Sequence, residues 1–140
     1  MIASKTPEEL IQRRSTAFAE KDFGSIYGSY HSESTFFRFF PDENAYIAYA
    51  KEEIAPIFQI IDCHILRSDH HGDTADVLFS QFLNHKGELL DSLEIARCRR
   101  NSRGEWSFLA GLRLDPAKLT EDFLICSWDL LIAAGNDLWI

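Results

Sequence analysis

The chain has 140 residues, a formal net charge of −8 and 46% apolar residues. That length suits a single domain, 1–140, which can bury roughly 70% of its unfolded surface without help from a metal or a disulfide. The apolar content excludes a disordered chain. The acidic balance argues against nucleic acid as a partner, because binding phosphate needs clustered Lys and Arg.

The cluster Arg99, Arg100 and Arg103 is local and reads as a solvated hairpin tip. Cys63, Cys98 and Cys126 are widely spaced, and no pair has metal-ligand spacing. They read as buried thiols in a reducing cytosol, which makes the expected location cytoplasmic. The N-terminus lacks the apolar stretch of a signal peptide. The longest apolar segment, near the C-terminus, is interrupted by Asp129, Asn136 and Asp137, so no membrane span is expected. No Gly-rich phosphate loop, nucleophile elbow or metal-binding helix motif is present, and no cofactor or metal is expected.

Thr6-Pro7-Glu8-Glu9 opens a helix: Thr6 can cap, Pro7 fits the first helical position, and the acids favour the positive end of the dipole. Leu10, Ala17 and Phe18, with Ile11 and Arg14 beside them, recur at helical spacing, and the helix should stop near Lys21-Asp22. A second short helix follows over Phe23–Tyr30. The aromatic run Ser34–Phe40 reads as a short strand or a buried loop, ended by Pro41. Asp42 can cap a third helix through Ile54, closed by Pro56.

Then come Asp69-His-His-Gly72, Asn84-His-Lys-Gly87 and Asn101-Ser-Arg-Gly104. Each suits a type I turn followed by a left-handed, bulged Gly. The runs between them, Ile57–Ser68, Thr74–Leu83, Glu88–Arg100 and Glu105–Leu114, alternate as strands of an antiparallel meander. After Asp115-Pro116, residues 119–140 read as an appended apolar helix. Thr120 is its cap, Phe123, Cys126, Trp128, Leu131 and Leu138 supply its apolar faces, and Gly135-Asn136 breaks it. A helix apolar on several faces lies across the sheet or packs against a second subunit.

If every turn is a three-residue loop, His64 faces Leu78, Leu78 faces Glu94 and Glu94 faces Leu112. One face then gathers Asp62, His64, Ser80, Ser92 and Glu94 beneath the helices, with apolar residues at its ends. The opposite face, with Val77, Phe79, Leu93 and Ile95, is half apolar and suits partial cover by a partner subunit. Helices ahead of a twisted meander give an α+β layer fold, and bulges that curl the sheet can leave a pocket at the open end.

Arg14-Ser-Thr-Ala-Phe18, Asp22 and Tyr30-His31, with Glu94-Ile-Ala-Arg-Cys98 and Gly104-Glu-Trp-Ser-Phe108…Gly111, resemble the YchJ-like domain of the nuclear-transport-factor-2-like superfamily. The resemblance spans roughly Leu10 to Leu114. It implies a cone, with helices packed in the concavity of a curved sheet, a pocket lined from that sheet, and frequent homodimers. Members often carry a Cys-rich SEC-C zinc motif in tandem, and nothing like it stands in this chain. The family pattern tends to place an Asp before the glycine of the last strand, where this chain has Ala110.

The candidate catalytic groups are Glu94, His64, Asp62 and His31, because acid–base chemistry needs a carboxylate or an imidazole in a dry pocket. The candidate ligand-binding residues are Arg14, Tyr30, His31, Ser80, Ser92, Glu94, Trp106 and Phe108. The plain structural alternatives are a Glu94–Arg14 pair, a His31 that caps helix carbonyls, and Trp106 and Phe108 in the core. His70 and His71 read as a polar hairpin tip. The first expectation for function is a small-molecule-binding or accessory domain. The alternatives are an acid–base enzyme, of isomerase or dehydratase type, acting on a small apolar substrate, and a dimeric interaction module.

Overall fold

The computed structural model describes residues 3–119 and 121–135. Helix α1, Pro7–Ala19, starts where Thr6 accepts the Glu9 N–H at 3.1 Å, and the chain turns out of it through Lys21 at φ +59°. Asp22 caps α2, Phe23–Gly28, through the Ser25 N–H. The aromatic run holds a single helical turn, α3, Phe36–Phe39, rather than a strand. Asp42 caps α4, Glu43–Tyr49, which continues as a π-helical turn, Ala50–Ile54.

Strands β1, Phe58–His71, β2, Thr74–His85, β3, Glu88–Arg100, and β4, Trp106–Arg113, follow as a meander in the order β1-β2-β3-β4. The fold is α+β: helices followed by a curved, unclosed antiparallel sheet.

The three turns differ from one another. The third is the expected three-residue loop: Gly104 N–H reaches the Asn101 carbonyl, Asn101 N–H reaches Glu105, and Gly104 takes φ +76°. The first two are tighter. His71 pairs with Thr74 around Gly72-Asp73, and His85 pairs with Glu88 around Lys86-Gly87. Lys86 and Gly87 both have positive φ, +54° and +86°, as a type I′ turn requires.

A loop one residue shorter reverses the face of the following pairing. Phe79, not Leu78, therefore stands opposite Glu94, and Leu78 stands opposite Ile95. Bulges at Ile61 and Leu66 switch parity along β1, and His64 pairs with Ser80.

The helix-facing side is thus built from Val77, Phe79 and Gln81 on β2 with Ser92, Glu94, Ala96 and Cys98 on β3. Asp62, His64 and Ser80 were expected on that side and lie on the outer one; the Asp62 and His64 side chains are largely exposed and pair with each other at 2.8 Å. Leu10 and Ile11 of α1 close the inner core on Val77, Phe79, Ala96 and Cys98. Apolar clusters lie on both sides, so the burial that stabilises the fold is split between the two faces of one sheet.

Part of the outer face is covered by the chain itself. Leu78, Leu93, Ile95 and Leu112 pack against Cys126 and Leu131 from the C-terminal segment. That segment is not the long helix expected over 119–140. After a 3-10 turn, Pro116–Lys118, helix α5 spans only Trp128–Ala133, capped by the Ser127 hydroxyl. Ahead of it the Asp122 side chain accepts the Leu124 N–H and the Asp122 carbonyl accepts those of Ile125 and Cys126, local bonds that compete with a continuous helix. The proposed Thr120 cap and Leu138 lie outside the described residues, as does Asn136 of the proposed break.

Arg67 ties the segment to β1, donating to the carbonyls of Phe123 and Cys126 and lying against the Trp128 ring. Strand β4 is bridged along its outer edge by Ser4 at Trp106, by Tyr30 at Phe108, and, just past the strand, by Gly135 at Leu114. Among the described residues no helix is long and apolar enough to cross a membrane.

Two measurements follow from this packing. A Cβ at Gly135 would stand 2.5 Å from a methyl of Leu112, which is fully buried and has no room to yield. Gly135→Ala should therefore lower unfolding stability by about 1–3 kcal/mol in urea titration. Burial also pushes the Cys98 thiol from an ordinary value of 9.0 up to about 12, and burial raises the Tyr46 hydroxyl as well. Both groups hold their protons more tightly folded than unfolded. Their contribution is complete below about pH 9 and is lost as pH rises above it. The urea midpoint should fall between pH 9 and about pH 12, and Cys98→Ala should flatten part of that fall.

Candidate functional site

Ile11, Arg14, Ser15 and Phe18 recur at i, i+3, i+4 and i+7, so they form one face of α1. Between this face and the concave side of the sheet lies a cleft of about 620 Å³. Gln81 and Leu83 of β2, Glu94 of β3 and Gly111 of β4 form its sheet side. Phe36 and Phe39 of α3, with Tyr30, Thr35, Phe58, Ile60, Phe108 and Arg113, complete its lining. Phe39 is 76% exposed although it is a large apolar ring.

Arg14 is the buried charge of the site, with 9% of its surface exposed. Its guanidinium lies 3.9 Å from the Phe108 ring centre and 4.7 Å from that of Tyr30, cation–π contacts worth roughly 2 kcal/mol when desolvated. It donates to the Ser29 hydroxyl, which in turn donates to the Ile26 carbonyl.

Tyr30 is held from three sides. It stacks on Phe36 at 3.7 Å, stands edge-on to Phe108 and faces Arg14. Phe108 N–H donates to the Ser29 carbonyl and His31 N–H to the Phe108 carbonyl, both at 2.8 Å, which pins the end of α2 to β4.

Glu94 lines the cleft and accepts a hydrogen bond from Ser92 at 3.0 Å. Arg113 is its cross-strand partner and is exposed. No ion pair joins Glu94 to Arg14 or to Arg113 among the described residues, so the expected Glu94–Arg14 pair does not form. Cys63 also faces inward, next to Ser15, and burial raises its thiol above its ordinary value. That makes it a poor nucleophile.

The expected residues separate into groups. Arg14, Tyr30, Glu94 and Phe108 line the cleft, and Ser92 touches it through Glu94. His31 sits in the turn after α2, where its Nδ1 accepts the Glu33 N–H, so it bonds a turn amide and not the helix carbonyls. Trp106 is buried in the core near Ser4, His70 and Arg100. Ser80, Asp62 and His64 are on the other side of the sheet because of the tight turns and bulges.

Gln81, Gly111, Arg113 and the aromatic rim were not anticipated. The helical spacing of Ile11, Arg14, Ser15 and Phe18 was a usable signal for the α1 wall. Nothing in the residues around Phe36 indicated which rings would reach the cleft. Among the described residues no three His, Cys, Asp or Glu side chains are placed to hold a metal. His70 pairs with Glu8, and His71 with Asp69.

Residues 6–111 match the family model described as YchJ, middle NTF2-like domain. The chain belongs to that family. The solution structure of a SEC-C motif containing protein from Rhodopseudomonas palustris is similar to this chain. The two align with a TM-score of 0.63 and 24% identity over 81% of this chain and 83% of the other, a likeness of fold. No curated protein matches the chain significantly.

Replacing Ser29 by Ala removes the acceptor that Arg14 uses inside the protein. Ser29→Ala should cost about 1–3 kcal/mol of unfolding stability, measured by chemical denaturation, because the donor left behind is charged and buried.

Proposed function

We propose that this NTF2-like domain binds a small, largely apolar molecule in the cleft between α1 and the concave face of the sheet. The observation that carries the reading is the cleft itself: about 620 Å³, walled by aromatic and aliphatic side chains, with a few polar groups converging on it. Small-molecule sites run to roughly 300–1,000 Å³ and have this composition. The exposed Phe39 ring at its edge is apolar surface that a ligand would remove from water.

Acid–base catalysis is supported less well. Of the four groups considered for it, Glu94 alone lines the cleft, while Asp62 and His64 face outward and His31 is engaged by a turn. A general acid or base needs a reacting group within reach and usually a second residue to complete the proton path.

A thermal-shift screen of neutral aromatic fragments tests the proposal. A fragment at about a hundredfold excess over its Kd should stabilise the protein by roughly 2.7 kcal/mol. Gly111→Leu, which adds a side chain on the cleft side of β4, should abolish the shift. Glu94→Gln should alter it for fragments that carry a hydrogen-bond donor. If both variants respond to every fragment as the parent does, the cleft is not the binding site.

A further inference from the structure

We infer that the cleft is built for an apolar molecule carrying one carboxylate, with Arg14 as the residue that reads the charge and Arg113 as its helper at the rim. The inference rests on the proposed binding role and adds the chemical class of the ligand. Three observations support it.

First, Arg14 is nine-tenths buried, lines the cleft, and has one protein acceptor among the described residues, the neutral Ser29 hydroxyl. A guanidinium carries five N–H donors in a planar fork suited to a carboxylate. The rings of Tyr30 and Phe108 lie beside it and offer π faces but no anion. A buried cation is normally matched by an anion, and among the described residues none is in contact with this one.

Second, the charged lining is Arg14, Arg113 and Glu94, two positive groups and one negative. The chain as a whole carries −8, so a positive excess in the cleft runs against the bulk composition. Glu94 is already bonded to Ser92 and makes no ion pair with either arginine among the described residues. One negative charge on the ligand balances the lining, whereas a dianionic phosphate ester would leave it overcompensated beside Glu94.

Third, most of the uncharged lining is apolar and suits the body of such a ligand, with Ser15, Thr35 and Gln81 as neutral polar groups among it. Phe18, Phe36, Phe39 and Phe58 offer ring faces and edges. The carboxylate would meet Arg14, and the apolar body these rings.

The test uses the full chain and matched probes: phenylacetate, 4-phenylbutyrate and octanoate, each with its primary amide and its primary amine, followed by calorimetry and amide chemical shifts at neutral pH. Phenyl phosphate is the dianionic control. At least one acid should bind, with its amide and amine about tenfold weaker. Arg14→Gln should erase the preference for acid over amide, and Arg113→Gln should reduce it.

If Arg14→Gln does not fold, as judged by its melting curve, Arg113→Gln and the loss of acid affinity with added salt decide the matter. Equal binding of acid and amide overturns the inference and leaves the cleft as a neutral binding site. Tighter binding of the amines, or of phenyl phosphate, also overturns it. An acid preference untouched by the arginine variants places the anion elsewhere and overturns it as well. If none of the probes binds, the binding role itself falls together with the inference.

Discussion

The tight reversal at Lys86-Gly87 is the constraint on which the site depends. Two residues at positive φ join His85 to Glu88, and that count sets Phe79 against Glu94 for the length of β2 and β3. Side chains alternate between the two faces of a strand, so the count decides which set meets α1. With Val77, Phe79 and Gln81 inward, the even positions of β3 share their face and Glu94 enters the cleft. With one more residue in the loop, Leu78 and Ser80 would stand there, and the apolar cover supplied by Cys126 and Leu131 would meet Phe79 instead. Lys86 adopts a conformation that costs a non-glycine residue about 1 kcal/mol, and the surrounding ladder offsets it.

Arg14 is the second organising group. Its place on α1 is set by helical spacing, yet its environment is assembled from distant pieces: Ser29 and Tyr30 after α2, and Phe108 on β4. The hydrogen bonds between Ser29, His31 and Phe108 hold those pieces in register, and the Tyr30–Phe36 stack carries the order outward to α3. A helix, a loop and a strand are therefore positioned by one cation and the rings around it. Charge burial of this kind is specific because a neutral residue of the same size would not require the rings and the hydroxyl to converge.

Much of the architecture was legible in the residues. Thr6 and Asp42 cap helices where their side-chain chemistry says they should, and Gly72, Gly87 and Gly104 mark the reversals between strands. The identity of the residues that surround α1 was less legible, for a definite reason. Asn84-His-Lys-Gly fits a three-residue loop as well as a two-residue one, and the residues alone do not distinguish them. The bulges at Ile61 and Leu66 carry no glycine signal at all. Glu94 and Ser92 keep the inward face that even positions of β3 imply, and a bulge in the β3–β4 register brings Phe108 to it. The short Lys86-Gly87 turn instead sends Ser80 outward, and Asp62 and His64 share its face across the β1–β2 ladder. The C-terminal segment was read as one helix because its apolar residues are dense. Asp122 and Ser127 instead divide it into short pieces that fit the sheet's outer face.

The bridges along β4 bear on how this sheet can meet other chains. Its amides at Trp106 and Phe108 already donate to Ser4 and Ser29, and beyond the strand Asp115 donates to Ala134. A foreign strand cannot add there without displacing three separate segments. The opposite flank, β1, is interrupted twice by bulges and carries Asp62, His64, Arg67 and Asp69, features that discourage edge-to-edge addition. Growth of the sheet from molecule to molecule is thus obstructed at both ends, a property that keeps an unclosed sheet from acting as a template for aggregation.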